Sequence, residues 1–153
     1  MYIPNRERRS ATQRGKGLRR MEVVAGVIER DGMILIGQRH HTDSHPLKWE
    51  FPGGKLEPGE SSAMALQREL EEELCIQARI GPLIDSYEFQ SGPRPPILLF
   101  FHHVSEFSGE PENQVFEQLR WEPLCNLPAY DFVDGDIAFV RRFANGEYDL
   151  LRR

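Results

Sequence analysis

Apolar residues fall in short runs that are separated by polar loops along most of the chain. Runs rich in β-branched and aromatic residues predict strands at 21–29, 33–37, 78–89, 97–104 and 118–123. Apolar residues spaced three or four positions apart predict helices at 61–74 and 136–145. The pattern therefore predicts a protein built from both strands and helices.

Local signals indicate how several of these elements begin and end. Arg30-Asp31-Gly32 lies between the first two strands, and Asp-Gly between apolar runs predicts a β-hairpin. Either Ser61 or Ser62 can cap the first helix. Asn145-Gly146 ends the second helix. The inner side of that helix is predicted to carry Ile137, Val140, Phe143 and Ala144.

The helix predicted at 61–74 combines an apolar stripe with an acidic face. Its stripe consists of Ala63, Leu66, Leu70 and Leu74. At about 100° per residue, Glu69, Glu72 and Glu73 share one side of the helix, whereas Glu71 points nearly the opposite way. Arg68 precedes Glu72 by one helical turn and can pair with it. Packing of the stripe against a core would fix the direction of the three carboxylates.

Carboxylates near the end of a helix are electrostatically unfavourable. They face the negative end of the helix dipole, and like charges one turn apart repel by roughly 0.2–0.5 kcal/mol per pair. Clustered carboxylate oxygens suit Mg²⁺ or Mn²⁺, and such a cation would relieve the repulsion. The alternative interpretation is a solvated acidic face without a ligand.

The spacing of this segment resembles a known motif. Gly54, Glu60, Arg68-Glu69-Leu70, Glu72-Glu73 and Ile76 occupy the positions of the Nudix box of the Nudix hydrolase superfamily. Cys75 is the one departure, because the family has glycine there. A side chain at a left-handed helix end costs roughly 1–2 kcal/mol, so the helix either ends differently or tolerates the strain.

The resemblance implies an α/β fold, the Nudix α/β/α sandwich with a mixed β-sheet between helices. It also implies metal-assisted attack of water on a diphosphate linked to another group. Glu69, Glu72 and Glu73 would bind Mg²⁺ (or Mn²⁺), with the Gly53 carbonyl as a further ligand. Glu60 would support the metal site or complete its coordination. Glu69 or Glu72 would be the general base, and Arg68 would orient the carboxylates.

Features outside the box point to the MutT-like branch of the family, which the size of the chain and the segment Trp49–Lys55 also resemble. Arg39 closes the second strand, where such enzymes present an arginine to substrate phosphate. Lys55 could contact phosphate as a point charge, and Phe51 is predicted to contact substrate. Glu117 is carried over as a further metal ligand, although a solvated loop acid is the alternative.

Asp136 falls where MutT-like enzymes that degrade nucleoside triphosphates keep an Asn or Asp that reads the base. A carboxylate there would accept hydrogen bonds from an exocyclic amine, which favours cytosine or the amine edge of guanine over thymine. The alternative is that Asp136 or Asp134 is only the N-cap of the last helix.

These residues predict a nucleoside triphosphate pyrophosphohydrolase that acts on CTP, dCTP or a modified nucleotide such as 8-oxo-dGTP. An ADP-sugar pyrophosphatase is a rival, supported weakly by Pro93, Pro95 and Pro96. Dinucleoside polyphosphate hydrolases carry a tyrosine about 17 residues past the box, and the loop 91–96 has none. A third rival is a Nudix-like domain that only binds nucleotides as a sensor, but such a module has little use for crowded carboxylates.

Composition sets the remaining expectations. With 153 residues, 39% of them apolar, one domain is expected at 21–153. Residues 1–20 hold seven basic side chains against one acidic, which predicts a flexible basic arm. Because the net charge is −5, the rest of the chain is strongly acidic, so no stable nucleic-acid partner is expected.

Hydropathy and cysteine content complete the picture. No apolar run is long enough for a membrane span, and the N-terminus lacks the apolar core of a signal peptide, so the protein is expected in the cytoplasm without a membrane partner. Cys75 and Cys125 form no metal-binding pattern and are expected to be small buried groups. The expected partner is the nucleotide substrate. The protein itself is expected to be a monomer or a homodimer.

Overall fold

The computed structural model describes residues 20–150. Nine strands are formed by Met21–Arg30 (β1), Met33–Gln38 (β2), Trp49–Glu50 (β3), Gly53–Lys55 (β4), Gln77–Arg79 (β5), Leu83–Phe89 (β6), Ile97–Val104 (β7), Glu106–Ser108 (β8) and Gln118–Pro123 (β9). Two α-helices span Ser62–Leu74 (α1) and Asp134–Ala144 (α2), and a 3-10 helix spans Leu124–Ala129. No helix in this range is long and apolar enough to cross a bilayer.

The main sheet has the strand order β3-β2-β1-β7-β6, with β9 paired to β2 and β4 paired to β1. It is mixed, because β1 and β7 run parallel while the other pairs are antiparallel. The hairpin between β1 and β2 is confirmed, and both Asp31 and Gly32 have positive φ, as its tight turn requires. Strands β5 and β8 form a separate two-stranded sheet.

Each face of the main sheet is covered by one helix. Val24 and Ile28 of β1 belong to the core beneath α1, whereas Ala25 and Val27 belong to the core beneath α2. Residues of opposite parity along a strand point to opposite faces, so β1 contributes to both layers. The predicted α/β/α sandwich is therefore confirmed.

Several boundaries differ from the prediction. The run 78–89 is two strands in two sheets, broken at the bend 80–82, where Gly81 N–H donates to the His103 carbonyl at 2.8 Å. Strands β3, β4 and β8 were not predicted, because two or three residues are too few to show a period. The short strand β4 holds the glycines of the box against β1.

Both helices bury slightly different residues from those predicted. In α1 the buried residues are Ala65, Leu66, Leu70 and Leu74, so Ala65 replaces Ala63. In α2 the buried residues are Asp136, Phe139, Val140 and Phe143. The prediction for Ile137 was wrong, since it is 39% exposed. Phe139 occupies the inner position instead and stacks on Phe101 with ring centroids 4.1 Å apart.

The ends of α1 are clear. Ser61, one of the two candidate caps, is the N-cap, and its side chain accepts the Met64 N–H. At the other end Cys75 has φ 57° and ψ 31°, and its N–H donates to the Glu71 carbonyl. The helix thus ends in the left-handed conformation although glycine is absent. Burial of the cysteines was predicted wrongly, because both Cys75 and Cys125 are exposed.

Candidate active site

The glycines of β4 bring the backbone close to helix α1. A Cβ at Gly54 would lie 2.5 Å from the Glu69 carboxyl carbon, and one at Gly53 would lie 2.0 Å from the Val24 carbonyl oxygen. Gly53 needs glycine for steric reasons because its Cβ would meet backbone, whereas a Cβ at Gly54 would have to displace the Glu69 carboxylate. Close contact of β4 with α1 is what places the helix carboxylates at the edge of the sheet.

Glu73 is bound directly to this glycine strand. Its Oε1 accepts the Gly53 N–H at 3.2 Å. Burial and the neighbouring charge of Glu69 raise the pKa of Glu73 to about 8, although the Gly53 N–H opposes the shift. A buried carboxyl group with such a pKa retains a proton at neutral pH unless a cation compensates its charge.

Glu69 lies beside Glu73 in a different environment. Burial raises its pKa, and the Arg68 guanidinium, 3.0 Å away, opposes that increase. The Glu69 side chain is 16% exposed, whereas that of Glu72 is 58% exposed. Two of the three predicted carboxylates therefore face the glycine strand, and the third lies on the solvent side of the cluster.

Arg68 connects the parts of the site. It donates to both carboxylate oxygens of Glu60, at 2.8 and 2.9 Å, and to the Lys55 carbonyl at 3.1 Å. Its distance to Glu72 is 3.6 Å, longer than the 3.0 Å to Glu69. The predicted pairing with Glu72 is therefore secondary, and Arg68 mainly joins Glu60, Glu69 and β4.

The Glu60 carboxylate is ionised, and both of its oxygens accept hydrogen bonds. Hydrogen bonds from Arg68, together with the Glu57 N–H, lower the pKa of Glu60 to about 2. Oε1 receives both Arg68 and the Glu57 N–H, and Oε2 receives Arg68. Of the two roles considered for Glu60, this arrangement favours support of the site over direct metal coordination.

The donor set around β4 fits a hard divalent cation. The charges of Glu69 and Glu72 act on Glu73, which also accepts the Gly53 N–H, although one oxygen from each of the three carboxylates does not lie within 4.8 Å of the other two. Burial is the largest cause of the raised pKa of both Glu69 and Glu73, and a bound cation would offset that cost. Oxygen-only ligands with uncompensated charge are typical of Mg²⁺ and Mn²⁺ sites.

A cavity of about 390 Å³ opens beside these carboxylates. Six residues predicted to form the site line it, namely Arg39, Phe51, Gly53, Lys55, Glu73 and Asp136. Glu60, Arg68, Glu69 and Glu72 are not among the residues that line this cavity, and Glu60, Arg68 and Glu72 line a separate pocket. The cavity thus runs from Glu73 and the glycine strand to the first turn of α2.

Asp136 forms the far end of the cavity. It is 7% exposed, and burial followed by the charge of Glu50 raises its pKa to about 8, against the effect of the Phe51 N–H. The N-cap position of α2 is Val133, which has no side-chain cap bond, so neither Asp134 nor Asp136 caps this helix. Asp136 is therefore a buried acid aimed into a cavity.

Glu50 was not singled out from the sequence. It lines the cavity, and Arg39 donates to its two oxygens at 3.1 and 3.2 Å. Burial raises the pKa of Glu50, while Arg39 opposes the shift. The signal that could have identified it is a charged residue between Trp49 and Phe51, two aromatic residues that are both buried.

The remaining cations of the cavity have different surroundings. Arg39 is engaged by Glu50 and by the Ser44 carbonyl at 2.7 Å, so its charge is partly compensated. Lys55 and Arg94 line the same cavity without an ion pair among the described contacts. Arg94, in the loop between β6 and β7, was not predicted as a site residue because a loop arginine carries no periodic signal.

Glu117 has other partners than the acids of α1. Its Oε1 accepts the His41 N–H at 3.2 Å and lies 3.0 Å from His41 Nδ1. Hydrogen bonds from His41 lower the pKa of Glu117. Its predicted role as a ligand of the box metal would require the carboxylate to leave these contacts.

Comparison with known proteins gives a consistent picture. The sequence profile of the NUDIX domain matches residues 18–143. The CTP pyrophosphohydrolase of Escherichia coli (strain K12) is 38% identical over 126 residues, covering 82% of this chain and 93% of that protein. An 8-oxo-dGTP diphosphatase of Haemophilus influenzae is 33% identical over 132 residues, covering 86% and 96%.

Solved structures agree with these sequence relationships. The solution structure of the E. coli ORF135 protein superposes with a TM-score of 0.76 at 36% sequence identity. The match covers 86% of this chain and 94% of that one. The structural similarity therefore extends over most of the chain.

Proposed function

This chain belongs to the NUDIX domain family, and we propose that it is a Mg²⁺-dependent nucleoside triphosphate pyrophosphohydrolase that acts on CTP, dCTP or an oxidised nucleotide such as 8-oxo-dGTP. The reaction converts a nucleoside triphosphate and water into a nucleoside monophosphate and pyrophosphate. Names of the relatives, a CTP pyrophosphohydrolase and 8-oxo-dGTP diphosphatases, support this substrate class.

The observation that carries the proposal is one cavity with two chemically different ends. Glu73 and the glycine strand lie at one end, where a metal-bound phosphate chain would fit. Phe51 and the buried acid Asp136 lie at the other, where an aromatic base would fit. A volume of about 390 Å³ lies within the range of about 300–1,000 Å³ typical of small-molecule sites.

Glu69, Glu72, Glu73 and the Gly53 carbonyl would hold the metal. Bound there, Mg²⁺ or Mn²⁺ supplies charge neutralisation of the phosphates and lowers the pKa of a water ligand. Glu60 would act through Arg68 by holding it against Glu69. Glu117 would join the set only if its carboxylate separated from His41.

The general base would be Glu72 or Glu69. A base needs a carboxylate oxygen that is free to accept a proton from water. Glu72 is the more accessible, and its closest described cation is Arg68 at 3.6 Å. Glu69 is already hydrogen bonded to Arg68. The contacts thus favour Glu72, with Arg68 and Glu60 as positioning residues.

Cations along the cavity would bind the phosphate chain. Lys55 directly follows the two glycines and lines the cavity, so it can meet a phosphate oxygen as a point charge. Arg39 lines the same cavity and would add positive charge near the phosphates, while Glu50 and Ser44 hold its guanidinium in place. Together these side chains would orient the triphosphate toward the carboxylates of α1.

Asp136 would read the base. With a pKa of about 8 its carboxyl group is neutral at pH 7, so it offers one O–H donor and one carbonyl acceptor. Cytosine matches this pair with its N4 amine and N3 acceptor, and an oxidised guanine matches it with an N7–H beside O6. Thymine presents N3–H beside O4 and can match the same pair, so rejection of dTTP would have to come from the rest of the cavity and not from Asp136 alone.

The test is turnover of a nucleotide panel with Mg²⁺, followed by pyrophosphate release. The panel contains the eight standard nucleoside triphosphates, 8-oxo-dGTP and ADP-ribose. The proposal expects a preference for a cytosine or oxidised guanine nucleotide, loss of turnover in Glu72→Gln, and altered preference in Asp136→Asn. Equal turnover of all nucleotides, an unchanged preference in Asp136→Asn, or hydrolysis of ADP-ribose alone would contradict it.

A further inference from the structure

A second group of metal-ligand side chains lies outside the carboxylates of α1. His40, His41 and Glu117 place one ligand atom each within 4.8 Å of one another. His40 and His41 follow strand β2, and Glu117 directly precedes β9. None of the three lines the cavity described above.

The sheet holds the two halves of this group in register. Gln38 and Gln118 are paired across β2 and β9, and the Glu117 N–H donates to the Gln38 carbonyl at 2.8 Å. Since Glu117 is the residue next to this rung of the ladder, its backbone position is fixed. The histidines begin two residues beyond the same rung. Glu117 is therefore anchored beside the ladder, and the two histidines lie in the loop that directly follows it.

Distances within the group are close to those of a coordination shell. His41 Nδ1 is 3.0 Å from Glu117 Oε1, and His40 Nε2 is 3.9 Å from the same oxygen. Metal–ligand bonds of about 2.0–2.2 Å in a tetrahedral site place ligand atoms about 3.4 Å apart. The observed separations lie on either side of that value, so small side-chain rotations would suffice.

His40 has a suitable outer partner. Its Nδ1 lies 2.9 Å from the Thr42 hydroxyl oxygen. A histidine that binds metal through Nε2 must carry its proton on Nδ1, and metal-bound histidines usually donate that proton to an oxygen. The Thr42 hydroxyl oxygen can accept it, but the Thr42 N–H, which donates to the same nitrogen at 3.4 Å, would then have to turn away. The ring of His40 also lies against that of His41, with centroids 4.3 Å apart, which restricts the orientation of both.

We propose that His40, His41 and Glu117 form a binding site for a first-row transition-metal dication such as Zn²⁺, Co²⁺ or Ni²⁺, separate from the Mg²⁺ site on α1. Two imidazole nitrogens and one carboxylate oxygen are borderline ligands that favour these ions over Mg²⁺. Three protein ligands leave the remaining positions to water, consistent with the partial exposure of the group.

Occupation of this site would act on the loop between β2 and β3. That loop carries Arg39, Ser44 and His45, all of which line the cavity. A metal that joins His40 and His41 to Glu117 would attach the start of the loop to β9. A transition metal bound at this site would therefore restrict the movement of the loop that forms one wall of the cavity.

The experiment is a titration of untagged, chelator-treated protein with Co²⁺, followed by visible absorption and by calorimetry. The background is the Glu69→Gln, Glu73→Gln double variant, which removes carboxylates of the other site. His40→Ala and His41→Ala are compared with His45→Ala, a histidine of the same loop outside the group. Thermal melting in EDTA identifies any variant that fails to fold.

One equivalent of Co²⁺ is expected to bind in the double-variant background, with absorption bands that report nitrogen ligation. Each of the first two histidine variants should weaken binding at least about tenfold, and His45→Ala should leave it unchanged. Absence of Co²⁺ binding in the background would overturn the proposal. A Co²⁺ affinity unchanged from the background in the folded His40→Ala and His41→Ala variants, or equal losses in all three histidine variants, would overturn it too.

Discussion

The Glu73 carboxylate accepts the backbone N–H of Gly53 at 3.2 Å, across twenty residues of sequence. This contact joins the last turn of α1 to the glycine strand β4 and places a buried acid at the edge of the cavity. The N–H donor is one of few groups that compensate the charge of Glu73, whose pKa is raised to about 8. The site is therefore arranged for a cation that supplies the rest.

Gly54→Ala should impair catalysis through Glu69. The added Cβ would lie 2.5 Å from the Glu69 carboxyl carbon and would displace that carboxylate. A displacement of about 1 Å can cost about a hundredfold in rate, so kcat should fall by roughly that factor. Gly32→Ala, where the added Cβ meets nothing within 4 Å but is strained by φ +77°, is the control for a loss of stability without displacement of Glu69, with kcat measured on folded protein. Full activity of Gly54→Ala would show that Glu69 does not need its observed position.

Arg68→Lys should lower kcat by about tenfold or more and change KM less. Lysine cannot bond both oxygens of Glu60 while also reaching Glu69 and the Lys55 carbonyl. Steady-state kinetics separate the two parameters. Arg79→Lys is the control, since Arg79 is 84% exposed and pairs only with Glu106 at 3.5 Å. An unchanged kcat in Arg68→Lys would contradict the proposed role of Arg68 in positioning the carboxylates.

Glu73→Gln should reduce the response of stability to Mg²⁺. In the wild type, the cation would offset the unfavourable burial of Glu73 beside Glu69, so Mg²⁺ should raise Tm and EDTA should reverse the increase. The glutamine can still accept the Gly53 N–H but carries no charge. Differential scanning fluorimetry measures both effects. Glu71→Gln, on the exposed side of α1, should respond as the wild type does.

Asp136→Asn should stabilise the metal-free protein more at pH 8 than at pH 4. The pKa of Asp136 is about 8 in the folded state, against 3.8 ordinarily. Between these values the unfolded chain releases the proton and the folded chain keeps it, so wild-type stability falls as pH rises through this window. Asparagine does not titrate. Its advantage should exceed about 1 kcal/mol at pH 8, since one pKa unit corresponds to about 1.4 kcal/mol.

Chemical denaturation at several pH values measures that advantage. Asp134→Asn is the matched control, because Asp134 lies in the same first turn of α2 but is exposed. A pH-independent difference between wild type and Asp136→Asn would contradict the assigned environment of this acid.

Cys75→Gly should increase stability by up to about 1 kcal/mol without a loss of activity. Cys75 has φ 57°, and the left-handed region costs a residue with a Cβ roughly 1–2 kcal/mol, part of which glycine loses again through unfolded-chain entropy. Cys75→Ala retains the Cβ and is the control in the same denaturation experiment. Equal stability of the two variants would show that the strain is negligible.

Much of the fold and part of the site could be predicted from sequence, because the relevant signals are local. The period of Leu66, Leu70 and Leu74 set the buried face of α1, and the hairpin at Asp31-Gly32 followed from turn chemistry. Strand β4 and the split of 78–89 could not be predicted, since both depend on which distant strand supplies hydrogen bonds.

The sequence by itself determined which chemistry is available: the order of the acids on α1, the two glycines before them, and an acid near the start of α2. Only the tertiary structure decided how each group is used. In the folded protein Arg68 pairs with Glu60 and Glu69, Asp136 is buried near Glu50, and Glu117 is hydrogen bonded to His41. Spacing along a helix fixes direction within one element, but burial and charge pairing arise between elements that only folding brings together.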